Sequence, residues 1–506
     1  MLSNCVRRMG AYMLLALTEC DLVKINEEAA MKGLLRAVVG AAMMMGFIAQ
    51  PVGAQTGPDL TSEIALAKKT LATPKVKAAM AYVERSKDET VREWLSLCEA
   101  YGPTGSEIFR ARAIYRLFRI YGLYDVRIDE ESNVIGVRKG TGGGPTVVLN
   151  AHHDAVQLWP ANQPIDAFVA DGRVWCPSAG DDISGVTQLL AVLRAMNAAN
   201  IQTKGDVWFV TFSGEEPVGN NASNGAQQFV NANYPHNLDW RKGDILIQFH
   251  GGGGEGVDTG STPVRHRSRL RLFTPIEGNR WGRHSIDVLG PVLMRLQELR
   301  DPRAEKRGYS YNEDPILYFN TAMVEGSEII NAPARDITIR LDLRSASEAR
   351  LRKAHQDIMR IAKEETEKFG EGFRFVYEVV SQNGVGQDVN PAGITGFDKV
   401  NNAAAKMAAA ASNALYGTKP IIDEHSGCGD CVRAYRQGMP GFSFSGDVVD
   451  HGGGKFEQRG TAPLKSETRR ISVGSHDITE SKEIDQVWSG IKHGLLFTIA
   501  YTGLVE

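Results

Sequence analysis

Apolar and polar positions follow two different patterns along this chain, and the first of them predicts an α/β fold. The runs Thr146–Ala151, Val207–Phe212 and Ile245–Phe249 are mostly apolar, as in strands that are buried on both faces of a sheet. Residues 184–196 have the apolar spacing of a helix that packs on such a sheet. Strands that alternate with helices in this way are typical of an α/β sandwich with a mixed or parallel sheet.

The second pattern begins near residue 264. Residues 337–343 alternate apolar and polar side chains, which predicts a strand with one solvated face, and a helix over 351–369 and a strand over 373–379 are predicted after it. The α/β pattern resumes after Gly384. The predicted organisation is an upstream extension with an export signal over 1–54, a larger α/β domain in two parts over 55–263 and 381–506, and an inserted α+β domain over 264–380.

The apolar stretch near the N-terminus predicts an export signal. From Met31 the chain has a basic start, then an uncharged stretch from Ala37 to Ala49, and then a small-residue end at Ala54. A membrane anchor is the weaker alternative, because this stretch is too short to span about 30 Å of hydrocarbon. We predict initiation at Met31, cleavage after Ala54, and a periplasmic or secreted protein that is not held in a membrane.

Composition excludes several classes of protein. The 506 residues include 57 Lys and Arg against 60 Asp and Glu, and this net charge of −3 offers no bulk basic surface for nucleic acid. A hydrophobic fraction of 42% is typical of a globular protein. Six cysteines are too few for a disulfide scaffold, although export permits single bridges. Cys428 and Cys431 form a Cys-x-x-Cys motif, and either a bridge or two idle thiols fits the pattern.

Polar clusters follow the three predicted buried strands. The clusters are His152-His153-Asp154, Ser213-Gly214-Glu215-Glu216 and His250 with four glycines after it, and Gly180-Asp181-Asp182 opens the helix predicted from Ser184. The carboxyl ends of parallel strands meet at one edge of a sheet, so these imidazoles and carboxylates would come together as a ligand set that suits zinc. Each cluster alone also has a structural interpretation, since the aspartates could cap the helix and the glutamates could lie in a solvated loop.

The ordered set of motifs resembles the dinuclear-zinc exopeptidase family. This family includes peptidase T, carboxypeptidase G, aminoacylase, acetylornithine deacetylase and succinyl-diaminopimelate desuccinylase. The motifs that carry the resemblance are, in chain order, Gly105-Ser-Glu, Val147-Val-Leu-Asn-Ala-His-His-Asp, Gly180-Asp-Asp-Ile-Ser-Gly, Ser213-Gly-Glu-Glu, Trp281-Gly-Arg-His-Ser, Ile330-Asn-Ala-Pro, Asp342-Leu-Arg-Ser, Gly427-Cys-Gly-Asp and His476-Asp-Ile-Thr-Glu. The implied fold is a mixed-sheet α/β sandwich catalytic domain, with the inserted α+β domain as a lid and dimerisation domain.

The resemblance implies two zinc ions per chain, with cobalt or manganese possible in their place. His152 would bind one zinc, Glu216 and His476 would bind the other, and Asp181 would bridge both. The family has a cis peptide bond after this bridging aspartate.

Two further carboxylates would carry the chemistry that the resemblance implies. Asp154 would fix the ring of His152. Glu215 would be the general base that takes a proton from the attacking water, and a carboxylate adjacent to a metal ligand is within reach of that water.

His250 is a departure from the family's pattern. After the third strand the family usually has Asp or Glu as the last ligand of the first zinc, and peptidase T-like members have Asp-Gly-Gly where this chain has His250-Gly251-Gly252. Imidazole can bind zinc, but the exchange removes a negative charge from the site. Two interpretations stay open: His250 is a ligand, or it only lines the pocket and the first metal is weakly held.

The inserted domain matches the family's lid, which pairs with its twin in homodimers. His284 would reach the partner's active site as an oxyanion donor, while Asn331 and Arg344 would bind polar groups of the substrate. Arg344 could receive a carboxylate in a bidentate pair or could form a salt bridge within the lid sheet. Gly427 and Gly429 match a loop that lies near the substrate backbone in the family.

The leading hypothesis is an exported zinc-dependent exopeptidase or dipeptidase that acts on small peptides. The glycines after His250 favour a peptidase T-like aminopeptidase or dipeptidase, and a carboxypeptidase or an N-acyl-amino-acid amidohydrolase is the alternative within the family. A non-catalytic peptide-binding relative with a weakened metal site is the alternative of another class. A cysteine hydrolase that uses Cys176 or Cys428 is disfavoured, since the sequence offers no convincing base for either thiol.

Overall fold

The computed structural model describes the greater part of the chain from Asp59 onward. The described residues are 59–156, 164–216, 224–231, 234, 243–250, 256–258, 264–275, 281–305, 316–326, 331–345, 347–383, 402–417, 422–423, 429–431, 441–445, 449–450, 456–457 and 480–506. The predicted export signal over 1–54 lies outside them. Within the described part, no helix has both the length and the apolar composition needed to cross a bilayer.

Helices and strands alternate over most of these residues. The helices are α1 (Thr61–Ala72), α2 (Pro74–Arg85), α3 (Lys87–Glu99), α4 (Ile108–Ile120), α5 (Ile183–Ala198), α6 (Asn224–Phe229), α7 (Ser285–Gln297), α8 (Glu348–Phe369), α9 (Ala403–Tyr416) and α10 (Ile484–Thr502). The longer strands are β1 (Tyr124–Ile128), β2 (Val134–Arg138), β3 (Val147–His152), β6 (Val207–Phe212), β7 (Ile245–Phe249), β9 (Val264–Phe273), β10 (Tyr318–Glu325), β11 (Asp336–Ser345), β12 (Arg374–Asn383) and β14 (Gly441–Ser445). The short strands are β4 (Phe168–Ala170), β5 (Arg173–Trp175), β8 (Gly256–Asp258), β13 (Ile422–Asp423), β15 (Val449–Asp450), β16 (Phe456–Glu457) and β17 (Ser481–Glu483).

A mixed sheet forms the centre of the larger α/β region. Its strand order is β1-β2-β6-β3-β7-β14-β8-β13, in which β6, β3, β7 and β14 are parallel neighbours and β2 pairs antiparallel with β6. Leu149 of β3 packs with α5 in the largest core cluster, whereas Val148 faces a second cluster with Phe229 of α6. Both faces of the sheet are therefore buried, and the predicted α/β sandwich is confirmed.

A separate antiparallel sheet follows along the chain. Its order is β10-β11-β9-β12, and we call it the lid sheet. Leu270, Leu341 and Ile339 point from its inner face into a core shared with Val292 of α7 and Ile358 of α8. Every second residue is thus apolar, which is why the sequence shows a period of two here. The predicted second α+β architecture is confirmed, and its last strand ends at Asn383.

A small three-stranded sheet lies beside the larger one and joins distant parts of the chain. Its order is β17-β5-β4, and Arg173 of β5 donates to the hydroxyl of Ser481 and to the carboxylate of Glu483, each at 2.8 Å. A disulfide joins Cys98, near the end of α3, to Cys176, directly after β5. These contacts position residues 176–182, which lead into α5.

Candidate metal centre and active site

The sheet order places three polar strand ends side by side. Strand β3 lies between β6 and β7 and is parallel to both, so their carboxyl ends share one edge. His152 is the last residue of β3, Glu215 and Glu216 follow β6, and His250 follows β7. Ligands in open α/β sheets bind at this edge, so the fold positions a site here.

Two imidazoles and one carboxylate converge at this edge. His152 Nε2 lies 2.9 Å from Asp181 Oδ1, and His250 Nε2 lies 3.3 Å from the same oxygen. Tetrahedral zinc with bonds of about 2.0–2.1 Å places neighbouring ligand atoms about 3.3 Å apart. The chemistry and the spacing of these three side chains, His250 included, fit a zinc ion.

A second group shares His152 with the two glutamates. One ligand atom each from His152, Glu215 and Glu216 lies within 4.8 Å of the others, and both glutamates are buried. The two groups overlap at His152, whereas the resemblance implies Asp181 as the residue shared by two metals.

Asp154 organises both groups. One of its oxygens lies 3.2 Å from His152 Nδ1, which orients the ring so that Nε2 points towards Asp181. The same carboxylate accepts the backbone N–H groups of Glu215 at 3.1 Å and Glu216 at 2.8 Å, and the hydroxyl of Thr104 at 2.8 Å. One buried carboxylate therefore holds a ligand ring and the turn that presents the two glutamates.

The electrostatics of the site follow from burial and opposite charges. Burial alone would lower the pKa of His152, but its contacts with Asp154 and Asp181 raise that pKa well above its ordinary value. Burial likewise opposes protonation of His250, yet the Asp181 carboxylate raises its pKa to about 9. The pKa of Glu215 is lowered, because the positive charges of His152 and Arg265 outweigh its burial. The edge of the sheet at the carboxyl ends of β3, β6 and β7 therefore carries a compact cluster of charged side chains.

The loop that carries Asp181 is held by a residue that the sequence analysis did not single out. The buried carboxylate of Glu480 accepts the backbone N–H groups of Ser178 at 3.2 Å, Gly180 at 2.6 Å and Asp181 at 2.7 Å. The peptide bond Asp181–Asp182 is cis, as the resemblance implies. Glu480 ends the motif that begins at His476, so its place in that motif was the available signal.

Gly429, two residues after Gly427, lies against the Glu215 side chain. An added Cβ at Gly429 would lie 2.3 Å from Glu215 Oε1, so a side chain at this position would displace the Glu215 carboxylate. The amide of Gln248 is paired with Asp430, and burial together with the charge of Glu215 raises the pKa of Asp430 to about 8. The Sγ of Cys431 donates to the carbonyl of Phe442 at 3.0 Å.

Some of the remaining predicted site residues belong to the lid, and others lie outside the described residues. Gly427, Cys428 and His476 lie outside the described residues. His284 is the residue at the start of α7, and Asn331 is exposed in the turn before β11. Arg344 donates to Asp342 at 3.0 and 2.6 Å through Nε and Nη2, so its guanidinium is engaged within its own strand.

The chain matches a family model described as "Peptidase family M20/M25/M40" over residues 148–456, which is more than half of its length. This segment begins in β3 and includes the three strand ends of the candidate site.

Curated relatives and a solved structure are similar to the chain. It is 25% identical over 310 residues to N-formyl-4-amino-5-aminomethyl-2-methylpyrimidine deformylase of Halalkalibacterium halodurans, covering 57% of this chain and 71% of that one. It is 28% identical over 190 residues to cysteinylglycine-S-conjugate dipeptidase of Corynebacterium striatum, covering 34% and 39%. The structure of human carnosine dipeptidase 1 has the same fold, with a TM-score of 0.59 at 11% identity, covering 84% of this chain and 98% of that one.

Proposed function

The chain belongs to peptidase family M20/M25/M40 and is a metal-dependent hydrolase of that family, and from this premise we propose that it is a zinc-dependent exopeptidase or dipeptidase of short peptides. The observation that supports this most is the convergence of His152, Asp181 and His250 beside Glu215 at one edge of the sheet. A single edge then holds metal ligands and a carboxylate that can act as a base.

In the proposed mechanism the chain's own residues position the metals and move a proton. His152, Asp181 and His250 would hold one zinc, and Glu216 and His476 would complete a second with the shared Asp181. Zinc at these positions supplies polarisation of the scissile carbonyl and activation of water.

Glu215 acts as the general base in this mechanism. One of its carboxylate oxygens takes a proton from the attacking water, and the same group then gives the proton to the leaving nitrogen. Gly429 allows close approach to Glu215 because it has no side chain. Asp154 keeps His152 and Glu215 in place through the contacts described above.

A second candidate function is hydrolysis of an N-acyl group from an amine or an amino acid. The match to a relative named as a deformylase favours it, because removal of a formyl group is also hydrolysis of an amide. Residues at the same edge of the sheet could hydrolyse either a peptide bond or an N-acyl bond. Which end of the substrate is released depends on the substrate groups that bind on the two sides of the metals.

A substrate screen tests the proposed function. We expect purified protein supplied with zinc, cobalt or manganese to hydrolyse members of a panel of dipeptides, tripeptides, N-acetyl and N-formyl amino acids. Hydrolysis is expected to stop with 1,10-phenanthroline and to persist after thiol alkylation, since Cys176 is bonded to Cys98. Less than one metal ion per chain together with no hydrolysis of any member would favour a peptide-binding protein instead.

We also propose that the protein is exported through the signal predicted over residues 31–54. The Cys98–Cys176 bridge supports this, because disulfides persist in oxidising compartments.

The double variant Cys98→Ser/Cys176→Ser is expected to lose about 2–4 kcal/mol of unfolding free energy, measured by urea denaturation. Cys431→Ala is the control that leaves the bridge intact. Equal stability of oxidised and reduced wild type would contradict the bridge, and a mature N-terminus upstream of Ala54 would contradict the cleavage site.

A homodimer that pairs lid with lid is the proposed assembly. Its support is the position of His284 at the start of α7, whose exposed side includes Ile286 and Met294. Sedimentation velocity is expected to give twice the chain mass, and a monomer at micromolar concentration would overturn both the dimer and the role of His284 across it.

A further inference from the structure

The disulfide joins two short segments of the chain that both lead to the candidate metal centre. Cys98 is in the last turn of α3 and Cys176 follows β5, and their side chains are buried, at 0% and 3% exposure. We call residues 98–104 the α3 segment and residues 176–182 the loop segment. A bond between their first residues fixes where the two segments start relative to each other.

The α3 segment holds the chain at the end of strand β3. The buried guanidinium of Arg110 donates to the carbonyl of Cys98 at 3.4 Å and to the carbonyl of His153 at 2.9 Å. Further along the same segment, the hydroxyl of Thr104 donates to the carboxylate of Asp154 at 2.8 Å. His153 and Asp154 directly follow the histidine that ends β3, so the α3 segment helps to fix the position of that proposed ligand.

The loop segment begins with a turn that needs support from its surroundings. The backbone N–H of Ala179 donates to the carbonyl of Cys176 at 3.0 Å, which closes a β-turn with Ser178 at its third position. Ser178 has a φ of 65°, in the left-handed region that residues with a Cβ rarely adopt. Such a backbone persists where surrounding contacts over-determine it. The bridge at Cys176 is one of these contacts, and the Glu480 carboxylate and the Trp94 indole, which donates to Ala179 at 3.2 Å, are others.

The two segments meet at the proposed metal ligands. His152 Nε2, at the end of the strand that the α3 segment holds, lies 2.9 Å from Asp181 Oδ1 in the loop segment. To bind one metal ion these two atoms must stay close, because bonds to zinc are only about 2.0–2.1 Å long. The bridge keeps the Cα atoms of its two cysteines 6.3 Å apart. Its covalent bond therefore restricts how far the two proposed ligands can separate.

We propose that the Cys98–Cys176 bridge is a positioning element of the metal centre, so that the oxidised protein binds the zinc held by His152 and Asp181 more tightly than the reduced protein does. A thiol reductant gives two electrons and two protons to the bridge, which breaks the S–S bond and leaves two thiols, while the reductant becomes a disulfide. By thermodynamic linkage, bound metal makes the bridge harder to reduce by the same factor. This inference rests on the metal centre of the proposed function but not on hydrolysis.

Metal affinity is the first test of this coupling. Zinc binding to oxidised wild type and to Cys98→Ser/Cys176→Ser is measured by competition with a chromophoric chelator. The double variant is expected to bind zinc about 10- to 100-fold more weakly, which is the loss typical of removing a group that orients a metal ligand. Equal affinity of the two proteins would overturn the coupling.

A matched control separates positioning from a general loss of stability. Ile499 is fully buried in α10, and the end of this helix accepts a backbone hydrogen bond from Gly205, before β6, at the edge of the sheet opposite the site. Ile499→Ala is expected to lower the melting temperature, because it leaves a cavity, and to keep the zinc affinity of wild type. A loss of zinc affinity in Ile499→Ala as large as in the double variant would overturn the positioning role.

Reduction of the bridge provides a second test, which needs no variant. Wild type is equilibrated in mixtures of reduced and oxidised dithiothreitol, either with EDTA or with free zinc fixed at a saturating level by nitrilotriacetate. Differential alkylation and mass spectrometry then give the reduced fraction of Cys98 and Cys176. Zinc is expected to stabilise the bridge by the factor found for the affinity, and tenfold corresponds to about 30 mV for this two-electron couple. The same midpoint potential with and without zinc would overturn the coupling.

These measurements separate the coupling from the reaction. Zinc binding that depends on the bridge, in a protein that hydrolyses no member of the substrate panel, would keep the coupling and reject the proposed function. Hydrolysis together with a zinc affinity that is the same with and without the bridge would reject the coupling alone. No zinc binding by oxidised wild type would reject both.

Discussion

Glu215→Gln is expected to lower kcat between about 100- and 10,000-fold, because an amide cannot accept and return the proton that a general base transfers. The side chain is buried, with 5% exposure, and glutamine has nearly the same shape, so the fold should be retained. The negative charge of Glu215 raises the pKa of Asp430 by repulsion. Its removal in Glu215→Gln relieves this repulsion. Initial rates on the best substrate of the screen, together with metal content and melting temperature, measure the effect.

The neighbouring glutamate provides the matched control. Glu216→Gln alters a proposed metal ligand instead of the base, so it is expected to lower the metal content as well as the rate. Glu215→Gln should keep the metal content of wild type. Hydrolysis by Glu215→Gln at the wild-type rate would show that Glu215 is not the base, and equal metal loss in both variants would show that their roles are not divided as proposed.

His250→Ala is expected to release one metal ion per chain and to abolish hydrolysis, because it removes the proposed ligand atom, Nε2, that lies 3.3 Å from Asp181 Oδ1. A ligand atom contributes directly to metal affinity, and even the loss of a residue that only orients a ligand costs about 10- to 100-fold. Metal content after gel filtration, measured by plasma mass spectrometry, gives the stoichiometry of each variant.

His250→Asp distinguishes a ligand from a residue that only lines the pocket. A carboxylate is also a zinc ligand, and it restores the negative charge that the resemblance leads one to expect at this position. We therefore expect His250→Asp to retain two metal ions and measurable hydrolysis. Wild-type metal content in His250→Ala would mean that the imidazole does not bind zinc.

Local patterns predicted the elements well because their causes are local. Val147–Leu149 and Val207–Val210 are apolar on both sides of the strand, since each central strand is covered on both faces. The lid strand β11 alternates because only one of its faces is covered by helices. The site residues at strand ends were also predictable, since parallel strands bring their carboxyl ends to one edge.

Contacts between distant segments were not predictable in this way. The Cys98–Cys176 bridge joins residues 78 positions apart, and the sequence drew attention to Cys428 and Cys431 instead because they are close in the chain. Glu480 reaches the backbone of Gly180 over 300 positions. The predicted choice for Arg344 between a substrate carboxylate and a salt bridge also depended on its neighbours, and its guanidinium lies against Asp342.

By itself the sequence determined the α/β sandwich with a second α+β architecture, the order of the motifs and the set of side chains able to bind zinc. These properties follow from the periodicity of buried positions and from residue chemistry, and both can be recognised in short segments of the sequence. Only the tertiary structure decided that His250 Nε2 lies beside Asp181, that Glu480 holds the loop before α5, and that Arg110 joins the carbonyls of Cys98 and His153. The physical reason is that a charge or a hydrogen bond acquires its partner from packing, and packing joins segments that no local pattern relates.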